Sequence, residues 1–66
     1  MDYSVIDRVL GDSLEPGDFV LLDEEVWELL AFSDESVLEY HIYNHTTGDD
    51  DYLAFDPDSY YDLVSN

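Results

Sequence analysis

The sequence contains no cysteine and a single arginine or lysine, Arg8, among its 66 residues. The absence of cysteine excludes a disulfide framework and a cysteine-ligated zinc site. The scarcity of basic residues excludes a surface that attracts nucleic acid or acidic lipid, because such surfaces need positive charge. The sequence also lacks an apolar stretch of membrane-spanning length and the cationic, apolar start of a secretion signal. We therefore expect a cytoplasmic protein.

Acidic residues dominate what is present. Eighteen Asp and Glu residues against Arg8 give a formal net charge of −17. Like charges at this density repel one another when the chain becomes compact. Apolar residues nevertheless make up 45% of the sequence and come in strand-length blocks, which favours a folded protein. The length predicts one domain, residues 1–66, near the lower limit at which a lone hydrophobic core suffices.

The first half of the chain predicts a hairpin. A Pro-Gly-Asp turn at residues 16–18 opens a strand over residues 19–22, and the acids at 23–25 form a bend. A second strand over residues 26–32 contains Trp27, the largest candidate for the core. Before this hairpin, apolar residues of segment 2–10 fall at helical spacing and a glycine follows as a stop, which favours a short N-terminal helix over a strand.

The second half predicts two or three more strands. Polar residues 33–36 suit a hairpin connection, and residues 37–45 alternate between apolar and polar as a half-buried strand does. Residues 46–51 form the next turn, with Gly48 free to take a positive φ. A strand over residues 52–55 and a turn at 56–59 follow, and residues 60–64 form a final strand or a single helical turn. The sequence thus predicts a mostly β fold of four or five strands: a small SH3-like barrel or a curled antiparallel meander with a short N-terminal helix.

The stretch Leu14-Glu15-Pro16-Gly17-Asp18-Phe19-Val20, followed by three hairpin-linked strands, resembles the opening of SH3-like small barrels, including the KOW and Tudor-type group. The resemblance implies the barrel fold. KOW domains bind RNA through basic and glycine residues, whereas this chain offers acids at those places. The resemblance therefore does not imply RNA binding here.

The density of negative charge predicts a function. Duplex DNA carries one charge per roughly 1.7 Å of axis, so 17 charges correspond to about 29 Å of duplex. A compact domain of this length has a diameter of about 28 Å. Small, cysteine-free, extremely acidic proteins of this kind resemble phage- or plasmid-encoded DNA mimics that block restriction enzymes, repair enzymes, nucleoid proteins or CRISPR effectors.

We therefore predict a non-enzymatic inhibitor that occludes the basic DNA- or RNA-binding surface of a host protein, such as a restriction, repair, CRISPR, nucleoid or transcription factor. The alternative is a phage or bacterial interaction module without mimicry, either a virion component or an adaptor for a basic peptide. A homodimer is left open, and neither direct nucleic-acid binding nor membrane binding is expected.

The candidate site residues are acids at turns and strand ends, with tyrosines among them as contact anchors. The acidic face comprises Asp23, Glu24, Glu25, Glu28, Asp49, Asp50, Asp51, Asp56 and Asp58, and the aromatic anchors are Tyr43, Tyr60 and Tyr61. We expect no catalytic residue, cofactor or specific metal site. No nucleophile, phosphate loop or EF-hand loop can be assigned, and His41 and His45 on one strand would lie about 13 Å apart, too far for one ion.

Overall fold

The structure, a computed structural model, describes residues 4–65, which form one antiparallel six-stranded sheet. The strands are β1 (Val5–Leu10), β2 (Phe19–Leu22), β3 (Glu25–Asp34), β4 (Glu39–Asn44), β5 (Asp50–Ala54) and β6 (Tyr60–Val64). Short 3₁₀ turns at Gly11–Ser13 and Glu35–Val37 follow β1 and β3. Within residues 4–65 there is no helix long and apolar enough to cross a membrane.

The order of the strands in the sheet is β1-β6-β2-β3-β4-β5. Strands β2 to β5 are neighbours in sequence and in space, whereas β6 returns to lie between β1 and β2. The prediction of a mostly β, antiparallel fold is confirmed. Six strands are present instead of four or five, and the sheet is not closed, since β1 and β5 form its two edges across the described residues.

The predicted N-terminal helix is wrong for the described residues, and its first two positions, Asp2 and Tyr3, lie outside them. Residues 5–10 form β1, which pairs with β6 in the register Val9↔Tyr61 and Leu10↔Tyr60. The helical spacing of the apolar residues is overridden because pairing with β6 satisfies the backbone of β1. The paired residues are at least fifty positions apart in the sequence, so no local pattern reveals the pairing.

The alternation of residues along β4 places one face of the sheet against the core. Tyr40, Ile42 and Asn44 are buried, and the residues between them are half-buried. The predicted strand starts too early, at residue 37, because Glu35–Val37 form a 3₁₀ turn and Leu38 takes the left-handed conformation (φ 53°). The side chain of Asp34 caps this turn by accepting a hydrogen bond from the backbone N–H of Ser36 at 3.0 Å.

The hydrophobic core is small and lies on one face of the sheet. Its buried members are Leu14, Val20, Leu29, Tyr40, Ile42 and Phe55. Tyr40 is fully buried, and its hydroxyl donates a hydrogen bond to the Leu14 carbonyl at 2.9 Å. Its ring packs edge-on against Phe55 at a centroid distance of 5.5 Å. Burial raises the pKa of the Tyr40 phenol above its ordinary value. We call the face that carries these residues the core face, and the opposite face the outer face.

Candidate functional site

A groove lies on the core face, beside the hydrophobic core and at the N-terminal end of β3. It encloses about 170 Å³. Four apolar residues form much of its lining (Leu22, Trp27, Ile42 and Leu53), three acids contribute carboxylates (Asp23, Glu25 and Asp51), and Tyr52 completes it. Antiparallel pairing explains this assembly, because directly opposed residues share a face. The pairs Leu22↔Glu25 and Ile42↔Asp51 each join an apolar residue to an acid on the core face.

The acidic end of the groove is held by a two-residue turn between β2 and β3. Asp23 (φ 50°) and Glu24 (φ 66°) both adopt the left-handed conformation, as a type I′ hairpin turn requires. Such turns favour Asn-Gly or Asp-Gly, and a glutamate at the second position costs roughly 1–2 kcal/mol. The sequence predicts a three-residue bend over 23–25, whereas the observed turn has two residues and Glu25 already belongs to β3. Asp23 and Glu25 line the groove, whereas Glu24 is exposed outside that lining.

The predicted turn over residues 46–51 ends earlier than expected, because β5 begins at Asp50. The three consecutive acids Asp49, Asp50 and Asp51 therefore do not form one group. Asp49 lies in the turn before the strand, and Asp50 and Asp51 point to opposite faces because side chains alternate along a strand. Asp51 reaches the groove, and its Oδ1 accepts a hydrogen bond from the backbone N–H of Tyr52 at 2.8 Å. Asp50 pairs with Tyr43 on the outer face.

The outer face carries a row of alternating aromatic and acidic residues. Phe19, Glu28, Tyr43 and Asp50 are directly opposed on four successive strands, β2 to β5. His45 Nε2 lies 2.9 Å from Glu28 Oε1, and the imidazole contacts the rings of both Phe19 and Tyr43, at centroid distances of 5.2 and 4.8 Å. The predicted acidic residue Glu28 and aromatic residue Tyr43 are thus brought together, on the face opposite the groove.

A second histidine–carboxylate contact lies at the β5 edge of the same face. His41 Nε2 lies 2.7 Å from Asp50 Oδ2, and the imidazole stacks on the ring of Tyr52 at a centroid distance of 4.8 Å. The hydrogen bond with His41 lowers the pKa of the Asp50 carboxyl below its ordinary value. The strand register sets the carboxylate partners of the two histidines, so these partners could not be identified from the sequence alone.

The remaining predicted residues lie apart from the groove, around the turn between β5 and β6. Asp56 Oδ1 accepts a hydrogen bond from the backbone N–H of Asp58 at 2.8 Å. The hydroxyl of Tyr61 accepts one from the backbone N–H of Asp56 at 2.9 Å, and the Tyr61 ring packs against Phe55. Tyr61 therefore has a packing role, whereas Tyr60 is 65% exposed and available to a partner.

The acids as a group remain at the surface. Asn44 is the one buried polar residue in the range 4–65, where it accepts hydrogen bonds from the backbone N–H groups of Thr46 and Thr47. Arg8 forms an ion pair with Asp62 at 2.9 Å, which raises the pKa of the guanidinium. Across the described part of the chain, no group of three or more His, Asp or Glu side chains is arranged to hold a metal ion.

Trp27 is the functional candidate that sequence reasoning placed elsewhere. It was predicted as a core residue, but it is half-buried and lines the groove next to the core. The signal was present in the sequence, since the only tryptophan lies two positions after three consecutive acids.

No protein-family model matches this chain, and the comparisons with curated proteins and with solved structures found no significant match.

Proposed function

We propose that this protein is a non-enzymatic inhibitor that occupies the nucleic-acid-binding surface of a basic protein in place of DNA or RNA. The observation that carries the proposal is the uncompensated negative charge. One Arg and no Lys accompany 18 acids, and that Arg is already paired with Asp62. A surface that serves solubility alone mixes charges of both signs and gains weak ion pairs. Here the self-repulsion is retained, which supports a function in which the negative charge attracts a basic partner.

The dimensions of the molecule support the same proposal. Its longest axis measures 34 Å, which is about the length of one turn of B-DNA. A duplex of that length carries about 20 phosphate charges at one per 1.7 Å. The chain carries a net charge of −17. A basic cleft that holds one turn of duplex therefore meets a body of similar length and similar total charge.

The placement of the acids supports a surface that binds by occlusion. They lie at turns, at the β5 edge and on both faces of the sheet, and none of those within residues 4–65 is buried. Long-range attraction then accelerates association and makes it sensitive to salt. Dissociation would be governed by short-range contacts of exposed aromatic residues such as Tyr52 and Tyr60, which are 59% and 65% exposed.

An open variant of the SH3-like fold is part of the proposal. The turn at residues 16–18 precedes β2, three hairpin-linked strands follow, and β6 returns beside β1 and β2. Gly17 takes a φ of 98° in that turn, and Asp18 Oδ2 accepts a hydrogen bond from the backbone N–H of Glu15 at 2.9 Å. We place the protein in the cytoplasm, which becomes the host cytoplasm if a phage encodes it.

An interaction module without mimicry is the second candidate, and the β1 edge favours it. Val5 and Ile6 are 53% and 65% exposed on a strand whose outer side has no neighbour within the described residues. Such an edge suits the addition of a strand from a partner. This function predicts binding that added DNA does not alter.

The test is displacement from immobilised DNA. A bacterial lysate is bound to duplex-DNA cellulose and eluted with this protein at constant salt, with polyglutamate at equal charge concentration as the control. We expect the protein to elute one or a few DNA-binding proteins that polyglutamate leaves bound. If both polyanions elute the same set in the same amounts, the effect is that of any polyanion, and mimicry by this fold is refuted.

A matched pair of variants localises the surface. Asp49→Asn/Asp51→Asn removes two charges near the β5 edge, and Asp12→Asn/Glu35→Gln removes two exposed charges from the 3₁₀ turns. We expect the first pair to reduce elution more than the second, because the first lies in the predicted acidic face. Equal losses would contradict a localised face.

A further inference from the structure

The groove on the core face combines an apolar lining with carboxylates on more than one strand or turn. Leu22, Trp27, Ile42 and Leu53 provide apolar surface, while Asp23 and Asp51 approach from the β2–β3 turn and from β5. Hydrophobic side chains normally continue a core into closed packing. Here the apolar lining stays open as a cavity of about 170 Å³ that includes a half-buried tryptophan.

We propose that this groove receives one arginine side chain of the partner protein, with the aliphatic part against the apolar lining and the guanidinium near the indole of Trp27 and the carboxylates of Asp23 and Asp51. The proposal rests on the proposed function only for the source of the arginine, since nucleic-acid-binding surfaces are rich in this residue. The groove itself is argued from its own shape and charge.

Arginine fits this lining better than other ligands do. Its guanidinium is planar, stacks on aromatic faces, and donates hydrogen bonds to carboxylates, and it is more weakly hydrated than the ammonium of lysine. Tryptophan is the aromatic residue that attracts cations most strongly. A phosphate or a nucleic-acid strand is excluded by the three carboxylates of the lining. A purely apolar side chain would desolvate the carboxylates of Asp23 and Asp51 without donating a hydrogen bond to either.

The position of the groove depends on the β2–β3 turn, in which Glu24 takes a left-handed conformation that is unfavourable for a glutamate. A glycine in place of Glu24 would adopt the φ of 66° without strain, and it would leave Asp23 in the turn. The turn must end β2 at Leu22 and begin β3 at Glu25, since these two groove residues pair directly. The tight turn therefore sets the distance between the two strand ends that line the groove on this side.

Trp27 provides a direct readout, because it is the only tryptophan in the chain and lines the groove. The probe is a capped pentapeptide, Gly-Ser-Arg-Ser-Gly, titrated into the whole protein at physiological salt while tryptophan fluorescence and the indole N–H resonance are recorded. The same peptide with lysine and with citrulline, a neutral isostere of arginine, provides the controls. We expect saturable changes with the arginine peptide, an affinity at least about threefold lower for lysine, and about tenfold lower for citrulline.

Matched variants distinguish the effect of the groove carboxylates from the effect of the overall negative charge. Asp23→Asn/Asp51→Asn keeps the side-chain oxygen that accepts from the Tyr52 N–H, and should weaken the arginine peptide by about tenfold. Asp12→Asn/Glu35→Gln removes the same charge outside the groove lining and should change the affinity less than about threefold, because these exposed carboxylates do not contact the bound guanidinium and salt screens their attraction.

The proposal is overturned if arginine and lysine peptides bind equally, if no saturation occurs at millimolar peptide, or if both variant pairs weaken binding to the same extent. Each of these results means that the peptide responds to the net charge alone. Failure of the proposed function is a separate outcome. If the arginine peptide binds in the groove while the protein displaces nothing from DNA cellulose, the groove is a peptide site and mimicry is refuted.

Discussion

The contact between Gly11 and the turn that joins β5 to β6 allows a sharp test of the fold. Gly11 is buried, and its backbone N–H donates a hydrogen bond to the Ser59 carbonyl at 2.9 Å. A Cβ atom at this position would overlap the carbonyl oxygen of Asp56, would lie 2.8 Å from its carbonyl carbon, and would approach the Tyr61 ring at 3.1 Å. The oxygen and carbon belong to the backbone and cannot rotate away, so Gly11→Ala must displace the whole turn.

The magnitude follows from overpacking. Inserting one carbon into a filled site costs about 1–3 kcal/mol, and a domain of this size has a total stability of roughly 3–10 kcal/mol. Each kcal/mol lowers the melting temperature of a small domain by about 4–8 °C. We therefore expect Gly11→Ala to melt at least about 4 °C below the parent protein in thermal unfolding followed by circular dichroism.

Gly48→Ala is the matched control, because it tests conformation without crowding. Gly48 has a φ of 84°, and the nearest heavy atom to a Cβ there is the Tyr43 hydroxyl oxygen at 3.9 Å. Its cost is the left-handed conformation alone, about 1 kcal/mol. If Gly11→Ala melts within about 2 °C of the parent while Gly48→Ala shows its expected loss, the turn does not pack on Gly11, and the reasoning is refuted.

Three further predictions concern the core, one carboxylate and the net charge. Tyr40→Phe should lower the free energy of unfolding by about 1–3 kcal/mol in urea titrations, because the buried Leu14 carbonyl loses its donor; an unchanged midpoint would contradict the hydrogen bond. The hydrogen bond with His41, which lowers the pKa of the Asp50 carboxyl, stabilises the fold at a pH above the ordinary carboxyl pKa. This stabilisation is lost as the pH falls through the lowered pKa. The difference in melting temperature between the parent and Asp50→Asn should accordingly be larger at pH 5 than at pH 2, and a constant difference would exclude a role for the bond to His41. Finally, the melting temperature should rise from about 10 mM to 150 mM salt, as the Debye length falls from about 30 Å to 8 Å and self-repulsion is screened; a steady fall would contradict it.

Local patterns predict the strands whose signals lie within a few residues. Phe19–Leu22 was predicted with its observed bounds, because a turn precedes it and acids follow it. The alternation around Tyr40 and Ile42 likewise identified β4. Strand β1 could not be predicted in this way, since its register depends on pairs such as Val5↔Val64 at the two ends of the chain.

The groove illustrates the same limit for the candidate site. The sequence placed Asp23, Glu25 and Asp51 among the acidic candidates, but it gave no reason to group Asp51 with the other two instead of with its neighbours in the chain. Their common position depends on the register Ile42↔Asp51 and on the two-residue turn that sets Leu22 opposite Glu25. The chemistry of a site can be predicted from residue types, whereas its composition depends on which residues share a face of the sheet.

Folding and charge are carried by different residues in this protein, and this separation makes the functional proposals testable. The buried core consists of apolar side chains around Tyr40, while the described acids are exposed or half-buried. Removing an exposed carboxylate that pairs with neither Arg8 nor a histidine therefore leaves core packing intact and reduces self-repulsion, so these neutralising variants should be at least as stable as the parent. A loss of partner binding in such a variant cannot then be attributed to unfolding. If the groove variant Asp23→Asn/Asp51→Asn instead melted well below the parent, these carboxylates would belong to the architecture of the fold, and the retained negative charge would need no partner to explain it.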